Sequence, residues 1–351
     1  MVFGLSGLGG MERALNLVAS SLSSTFKLEV LALEAEGRCS FQYPETVRLI
    51  WAGAAGGLLH GNLLVARMIR RRSPDIVIQV GAGELRYLLL ARLLFRFRLV
   101  VWEHFNAAIF YRRPSRRLAA IMANLIVALT ERDAEDWRRF LRPRCPVLAI
   151  PNPVPELPAV PAALEAKRIL AAGRLDGQKH FDLLIEAFAL AAPTLPGWSL
   201  RIRGAGGDEI ALKDLAARLS LDDRVEILPP TGDMAGEYRE ASIFALSSRF
   251  EGFPMVLLEA KAAGLPCVSV DCPNGPRELI RDGVDGYLVP IDDAQAMALA
   301  IQRMAVDSET RKAMGSAARV SVAQYMQAAI ARRWEDALRP AKRKANDEQG
   351  R

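Results

Sequence analysis

The sequence is poor in cysteine and has no long apolar run. Its 351 residues include four cysteines, whose spacing matches neither a zinc site nor a disulfide-rich scaffold. The most apolar windows, 52–68 and 85–102, are rich in glycine or interrupted by arginine, so neither is typical of a membrane-spanning helix. The first residues lack the basic and apolar regions of a secretory signal. We therefore expect a protein of a reducing compartment.

Several enzyme signatures are also missing. The sequence contains no nucleophile elbow, no phosphate-binding loop that ends in Gly-Lys-Ser/Thr, and no histidine-rich metal site. Its glycine clusters lack the downstream acid of a nicotinamide-binding pattern, and no DNA- or RNA-binding signature is present. The sequence thus argues against redox chemistry, nucleotide hydrolysis, a bound metal and a nucleic-acid partner.

The net positive charge of the chain lies in its first half. Residues 1–150 contain 21 Lys and Arg against 12 Asp and Glu, a net charge of +9, whereas the remainder contains 25 against 28. The arginine clusters are interleaved with Leu, Phe, Ile and Trp, a pattern that suits an anionic membrane surface or a phosphorylated lipid. It equally suits solvated helix faces, and the sequence leaves both interpretations open.

The chain has the composition and length of a globular protein with two domains. Short apolar runs alternate with longer amphipathic segments, which favours parallel α/β architecture. Five prolines between Pro151 and Pro161 indicate a linker. We predict Rossmann-like, doubly wound domains at 1–155 and 156–322, a helix at 323–340 that packs back toward the first domain, and a polar tail at 341–351. Ligands bind outside the carboxyl ends of parallel strands, so the interdomain cleft is the expected site.

One segment places two glutamates around a predicted helix start. Pro254 can open a helix, and Gly252 allows a ligand to approach the backbone, so the free amides near 253–256 form an anion or hydroxyl site. Glu251 precedes this helix and Glu259 lies inside it. Such a pair is also common on solvated surfaces, but the accompanying glycine and proline favour a site.

Two cations follow the first predicted strand of the second domain. Arg174 and Lys179 lie between that strand and the next helix, where they could grip a diphosphate without a metal. Basic loop residues are often surface charges only. Their position at the expected cleft favours a ligand.

Glycine clusters at 7–10 and 204–207 each join a strand to a helix. Each cluster can cradle a phosphate or form a tight turn. His104 follows a strand at the carboxyl edge of the first sheet, where it could bind a sugar hydroxyl, transfer a proton or serve a structural role.

Four segments resemble glycosyltransferase family four: Gly-Gly-Met-Glu-Arg at 9–13, Gly-Arg-Leu-Asp-Gly-Gln-Lys at 173–179, Ser-Arg-Phe-Glu-Gly-Phe-Pro-Met-Val-Leu-Leu-Glu-Ala at 248–260 and Gly-Pro-Arg-Glu-Leu-Ile at 275–280. The resemblance covers nearly the whole chain and is densest from 168 to 290. It implies a retaining enzyme of the GT-B fold, with two Rossmann-like domains around a donor cleft. Members that build bacterial surface polysaccharide and lipopolysaccharide are the most similar.

The resemblance also implies residue roles. Arg174 and Lys179 would bind the donor diphosphate, His104 would lie beside the transferred sugar, and Glu251 would contact that sugar; these four form the implied catalytic set. Leu228 would line the base pocket, and Glu259 would bind the ribose. The implied donor-binding set is Gly9, Gly10, Gly173, Arg174, Lys179, Gly204, Leu228, Glu251, Gly252, Phe253, Pro254, Met255, Val256 and Glu259.

On this basis we expect a metal-independent, retaining transferase of the hexosyltransferase type, without a cofactor. It would move a sugar from a nucleotide sugar, a UDP-sugar, to a lipid-linked or cell-surface glycan and form an α-glycosidic bond. The basic first domain would meet an anionic membrane surface from the cytoplasmic side. Two alternatives stay open: a nucleotide-sugar epimerase of the same architecture, which needs no acceptor, and a non-catalytic protein that binds nucleotide or glycan.

Overall fold

The computed structural model describes residue 5 and residues 9–34, 39–53, 57–155 and 160–339. Three sequence-based expectations fall wholly or partly outside these residues. They are the first strand at 2–5 apart from Leu5, the start of the glycine cluster at 7–10, and the polar tail at 341–351.

The first half of the chain alternates strands and helices. Its described elements are α1 (Gly10–Leu22), β1 (Leu28–Ala32), β2 (Val47–Trp51), α2 (Leu58–Arg72), β3 (Ile76–Val80), α3 (Leu89–Leu94), β4 (Arg98–Trp102), α4 (Ala107–Phe110), α5 (Pro114–Met122), β5 (Leu125–Ala128), α6 (Glu131–Asp136) and β6 (Val147–Ala149). A 3-10 helix, Ala82–Leu88, precedes α3, and a π-helical turn, Trp137–Leu141, follows α6.

The described strands of this half form two parallel sheets. One has the order β3-β4-β5-β6, and the other pairs β1 with β2. All four residues of β5 and four of the five in β4 are buried, as expected for parallel strands that are covered on both faces. Because both faces of these strands are covered, side chains can meet a ligand only beyond the ends of the strands. The carboxyl ends are where we look for the site.

Two local features differ from the sequence-based expectation. The sequence pattern did not indicate strand β2, in which Arg48 interrupts the apolar residues and only Val47 is buried. Residues 85–94, which the alternation of apolar and amphipathic segments favours as one helix, form the end of the 3-10 helix and then α3. The 3-10 helix begins next to the loop of His104, since the backbone of Ala82 hydrogen-bonds to Glu103.

The second half repeats the alternation. Its elements are β7 (Arg168–Ala172), α7 (Phe181–Ala191), β8 (Ser199–Arg203), α8 (Glu209–Arg218), β9 (Val225–Leu228), α9 (Met234–Arg239), β10 (Ile243–Leu246), α10 (Met255–Ala262), β11 (Cys267–Val270), α11 (Pro276–Leu279), β12 (Gly286–Val289), α12 (Ala294–Val306) and α13 (Ser308–Ser321). Short 3-10 helices span Ala192–Thr194 and Val322–Tyr325.

The six strands form one parallel sheet in the order β12-β11-β10-β7-β8-β9. The chain runs outward from β7 through β8 to β9, and then returns to β10 on the other side of β7. Connections that leave two neighbouring strands in opposite directions open a crevice at the carboxyl ends of those strands. The loops after β7 and β10 border this crevice, and they carry Lys179 and Glu251.

The last described helix, α14 (Gln327–Leu338), packs against the first half of the chain. Thr25 Oγ1 donates to Glu335 at 2.8 Å, and the buried Trp334 ring meets Trp102 edge-on at 5.0 Å between centroids. Arg98 donates to the carbonyls of residues 337, 338 and 339. Helix α14 is thus attached to β4 of the first sheet.

Within the described ranges, no helix combines the length and apolarity needed to cross a bilayer.

Candidate active site

The loops after β7 and β10 are joined by hydrogen bonds. The Arg249 amide donates to the Gln178 carbonyl at 2.9 Å, and the Gln178 side chain returns a bond to the Phe250 carbonyl at 3.0 Å. Ser247 Oγ donates to the Lys179 carbonyl at 2.8 Å. These contacts hold the two loops at the switch point of the second sheet as one unit.

Lys179 and Glu251 form an ion pair in this crevice. The distance from Lys179 Nζ to Glu251 Oε1 is 2.6 Å, and their side chains are 14% and 8% exposed. Arg174 is placed differently: its side chain is 72% exposed and contacts Gln178 and Asp176. The structure therefore brings Lys179 and Glu251 together and leaves the Arg174 guanidinium at the outer edge of the same loop.

The start of α10 adds a site for negative charge. Pro254 precedes the helix, and the first intrahelical bond runs from the Leu257 amide to the Pro254 carbonyl, so the amides of Met255 and Val256 come before that bond. Phe253 is buried and its ring meets Tyr325 at 5.6 Å. Helix amino termini attract anions through these amides and the helix dipole.

The amino terminus of α1 faces the same region. Gly9 precedes α1 and Gly10 opens it, and a Cβ on Gly10 would lie 3.2 Å from the Met255 side chain. Two helix starts from the two halves of the chain thus approach each other. An anion between them would be attracted by both helix dipoles.

Glu259 is a buried carboxylate with two partners. Arg13 Nε lies 2.7 Å from Oε1, and the Tyr238 hydroxyl donates to Oε2 at 3.0 Å. Burial raises the pKa of Glu259, while Arg13 opposes that change. Arg13 belongs to α1, so this ion pair also links the two halves.

Two glycines are required where backbones pack closely. A Cβ on Gly252 would overlap the His104 carbonyl oxygen, and a Cβ on Gly204 would overlap the carbonyl of Gly173. The Gly204 amide also donates to the Leu228 carbonyl at 2.9 Å. Gly173, Gly204 and Leu228 thus form adjacent ends of β7, β8 and β9, and Gly252 forms a contact between the halves.

His104 lies at the carboxyl end of β4. Its ring contacts Trp102 at 4.4 Å between centroids, with the two ring planes tilted by 49°, and its Nε2 atom is buried without a hydrogen-bond partner among the described residues. Burial lowers the pKa of the imidazole to about 3. A neutral His104 can donate or accept a hydrogen bond near neutral pH, but it does not carry a proton to deliver.

A buried polar network lies behind His104. Glu103 Oε1 accepts the amides of residues 104 and 105, and its other oxygen lies 3.2 Å from Arg116. Asp133 accepts the Ala107 amide at 2.6 Å and the Asn274 side chain at 3.3 Å. Burial raises the pKa of Asp133 to about 7. The network fixes the 104–107 loop and reaches across to the second half through Asn274.

Sequence reasoning missed several of these residues. Arg13 stands in the Gly-Gly-Met-Glu-Arg segment, one helical turn after the glycines, so a signal for it was present. Tyr238 and the partners Asp133 and Asn274 belong to no local motif, and 141 residues separate the latter two. Such contacts arise only when the two halves fold and meet.

The described residues contain no group of three or more His, Cys, Asp or Glu side chains arranged to hold a metal ion.

The comparisons with known proteins agree with this architecture. Residues 156–321 match the family model for glycosyl transferases group 1. An uncharacterized glycosyltransferase from Haemophilus influenzae is 30% identical over 276 residues, which cover 77% of this chain and 78% of that protein. The chain belongs to the group 1 glycosyltransferases. The resemblance read from the sequence is thereby confirmed.

Other relatives of this glycosyltransferase differ in length. The amylovoran biosynthesis glycosyltransferase AmsD of Erwinia amylovora is 26% identical over 96% of this chain and 98% of its own length. An exopolysaccharide phosphotransferase of Streptomyces coelicolor is 40% identical over 221 residues, and this match spans 24% of that longer protein.

Solved structures share the fold. Sucrose-phosphate synthase from Thermosynechococcus elongatus superposes with a TM-score of 0.84 at 18% identity, covering 96% of this chain and 97% of that one. Anabaena HepE, solved in complex with UDP and glucose, gives 0.78 at 20% identity and covers 96% and 98%. The predicted GT-B fold class is confirmed.

Proposed function

We propose that this glycosyltransferase moves a sugar from a UDP-sugar to a lipid-linked or cell-surface glycan in bacterial polysaccharide or lipopolysaccharide synthesis. The observation that carries the proposal is the convergence, at one crevice, of the Lys179–Glu251 pair, the buried Glu259 and the starts of α1 and α10. The naming of relatives in amylovoran and lipopolysaccharide synthesis supports the acceptor class. The UDP complex of HepE supports the donor class.

The proposed chemistry is electrostatic. When the bond between the sugar carbon and the diphosphate oxygen breaks, negative charge develops on the diphosphate and positive charge on the sugar ring. Lys179, Arg174 and the helix starts would stabilise the leaving diphosphate. Charged groups and hydrogen-bond donors stabilise a transition state most when they are already in position before the reaction. The hydrogen bonds between the loops around Lys179 hold its side chain in such a position.

We propose retention of configuration without a covalent enzyme intermediate. The acceptor hydroxyl would attack from the face that the diphosphate leaves, its oxygen would bond to the sugar carbon, and its proton would pass to the departing diphosphate. An α-linked donor then gives an α-linked product. Neutral His104 would donate or accept a hydrogen bond at the transferred sugar, and Glu251 would contact its hydroxyls.

Metal independence is part of the proposal. In other diphosphate sites a divalent ion supplies positive charge. Here the Lys179 amino group and the Arg174 guanidinium would supply it instead.

A docking surface for anionic membranes is also proposed, on the cytoplasmic side. Besides the buried Arg116, helices α2, α3 and α5 contain six arginines, and they contain no Asp or Glu. The same helices expose Leu59 at 75%, Leu93 at 84% and Ile121 at 63%. Arginine next to exposed leucine suits the headgroup region of an anionic bilayer.

Thermal unfolding with UDP, GDP, ADP and their sugars, each with and without chelator, tests the donor proposal. A ligand at about 100 times its Kd stabilises the folded state by about 2.7 kcal/mol, which gives a measurable rise in Tm. We expect a chelator-insensitive response to UDP and a UDP-sugar. A response to a different nucleotide, or one that disappears with chelator, would contradict the donor or the metal-independence proposal.

Product analysis separates transfer from epimerisation. Incubation with the responding UDP-sugar and no acceptor should leave the sugar unchanged on chromatography, whereas an isolated lipid-linked glycan should gain one sugar. Conversion of the nucleotide sugar into its epimer without acceptor would contradict transferase activity. NMR of the new anomeric centre would then report whether the linkage is α.

A further inference from the structure

The ion pair between Arg13 and Glu259 crosses the cleft. Arg13 lies one turn into α1, and its side chain is 31% exposed, whereas the Glu259 side chain is 5% exposed. The carboxylate that is expected to bind the ribose of a donor is therefore held by a cation from the opposite half. The contact is short, at 2.7 Å.

A buried carboxylate needs such a partner. Without a nearby cation, burial favours the neutral acid, and a neutral acid is a weaker acceptor for a hydroxyl group. The second partner, Tyr238, is a neutral phenol because burial raises its pKa well above the ordinary value. Tyr238 can fix the direction of the carboxylate, but only Arg13 supplies opposite charge.

The surroundings of Glu259 contain few other ionisable groups. Lys261, on the same helix, is fully buried against Asp285 and so faces away. Arg319 of α13 donates to the Ala262 carbonyl, and the Cys267 thiol of β11 lies near Tyr238 rather than Glu259. Arg13 is thus the cation that the structure places on Glu259 in the described part of the chain.

Arg13 also has N–H groups that do not contact Glu259. Its contact with Glu259 runs through Nε, and the guanidinium has four more N–H groups. These groups lie on a partly exposed side chain, one turn from the Gly9–Gly10 start of α1. Among the described residues they have no partner, so they can meet a ligand that enters between the two helix starts.

From this geometry we infer that Arg13 is a positioning residue of the nucleotide site, which keeps the Glu259 carboxylate ionised and fixed for a ribose hydroxyl. The first half of the chain then takes part in donor binding as well as in acceptor binding. The inference rests on the proposed UDP-sugar function, because it assigns the ribose of that donor to Glu259.

The test compares UDP binding by the wild-type protein, Arg13→Met and Arg13→Lys between pH 6 and pH 8, by calorimetry. The ratio of variant to wild-type Kd removes the ionisation of UDP itself. In Arg13→Met the Glu259 pKa is no longer held down, so the ratio should increase as the pH falls from 8 to 6, by at most about tenfold per pH unit. Arg13→Lys retains a cation and should give a ratio that is nearly constant with pH.

Two control variants test whether Glu259 is the group that titrates and whether the effect is specific to Arg13. Adding Glu259→Gln to Arg13→Met should abolish the pH dependence, since the group that titrates is then absent. Arg218→Met, at an exposed position of α8, removes one surface cation away from the cleft and should behave as the wild-type protein. A pH-independent ratio for Arg13→Met, or a pH dependence that survives Glu259→Gln, would overturn the inference.

Failure of the proposed function has a separate signature. If UDP does not bind the wild-type protein at any pH, the UDP proposal fails. The role of Arg13 is then decided by carbon-13 NMR titration of the Glu259 carboxyl in labelled protein without ligand. The titration must move to higher pH in Arg13→Met, and an unchanged titration would overturn the inference.

Discussion

Cations of the two halves of the chain have different neighbours. In the second half, Arg201 and Arg203 share Glu237, and Lys261 pairs with Asp285 in the core. In the first half, Arg116 pairs with Glu103 and Arg72 with Glu29, whereas Arg98 and Arg138 donate to backbone carbonyls, which carry no net charge. The second half has no excess of positive charge, with 25 Lys and Arg against 28 Asp and Glu, whereas the first half has 21 against 12 and keeps a net charge of +9.

In the crevice between the halves, a cation has an acidic partner and is also placed to meet a charged ligand. Lys179 has an acidic partner, Glu251, yet the pair lies where a charged ligand is expected to enter. The number of cations in a region therefore says less about their function than the charge of the groups beside them. Four substitutions test this difference between the halves.

Lys261→Met should give the largest effect. It removes the buried cation of the fully buried Asp285, which then keeps only the largely exposed Arg281 as a charged partner, and breaking a buried pair costs about 3–5 kcal/mol of the free energy of unfolding. Urea denaturation measures this loss. The double variant Lys261→Met/Asp285→Leu should recover much of it, because no unpaired buried charge remains, and a double variant as unstable as the single one would contradict the explanation.

Lys179→Ala should lower kcat/KM by at least about 100-fold, which corresponds to about 2.7 kcal/mol of transition-state stabilisation. Steady-state kinetics with the responding UDP-sugar and an acceptor measure it. Arg174→Ala, at the outer edge of the same loop, should change kcat/KM in the same direction. Arg218→Ala is the matched control, and near-normal turnover in both loop variants would contradict the assignment of the diphosphate site.

Arg70→Gln/Arg71→Gln should weaken binding to anionic vesicles by about 2 kcal/mol, at about 1 kcal/mol per charge. Both residues are exposed at the end of α2. Co-sedimentation with anionic and neutral vesicles at several salt concentrations measures the change. Lys213→Gln/Arg218→Gln removes the same charge from α8 of the second half and should bind as the wild-type protein; equal loss in both variants would contradict a specific surface.

His104→Gln should give the smallest effect of the four substitutions, with no change in how kcat/KM depends on pH. The pKa of His104 is about 3, so its imidazole is neutral from pH 5 to pH 9 and contributes no limb to the rate. We expect a lower kcat/KM but the same dependence on pH. A limb near pH 6–7 that is present in the wild-type protein and absent in His104→Gln would show that the residue titrates during turnover.

Much of the fold and part of the site could be predicted from local sequence patterns. Apolar runs such as Leu125–Ala128 favour buried strands, and their alternation with helical segments favours a parallel sheet. The short spacing from Arg174 to Lys179 and from Glu251 to Glu259 already indicated loop and helix positions at strand ends. The ligand roles of these residues stay predictions.

Contacts between distant segments could not be predicted in the same way. The bond between Asp133 and Asn274 and the pairing of Tyr238 with Glu259 depend on how elements pack, and no spacing in the sequence records that. The burial of His104, which removes its charge, likewise follows from packing against Trp102. Sequence motifs marked the position of His104 but not its protonation state.

The contact of Gly252 with the His104 carbonyl has one more consequence. There, the closest approach of the two halves is set by two backbone groups, without an intervening side chain. Side chains that line the cleft can therefore change, and with them the preference for a particular sugar or acceptor, while the spacing of the halves at this point stays the same.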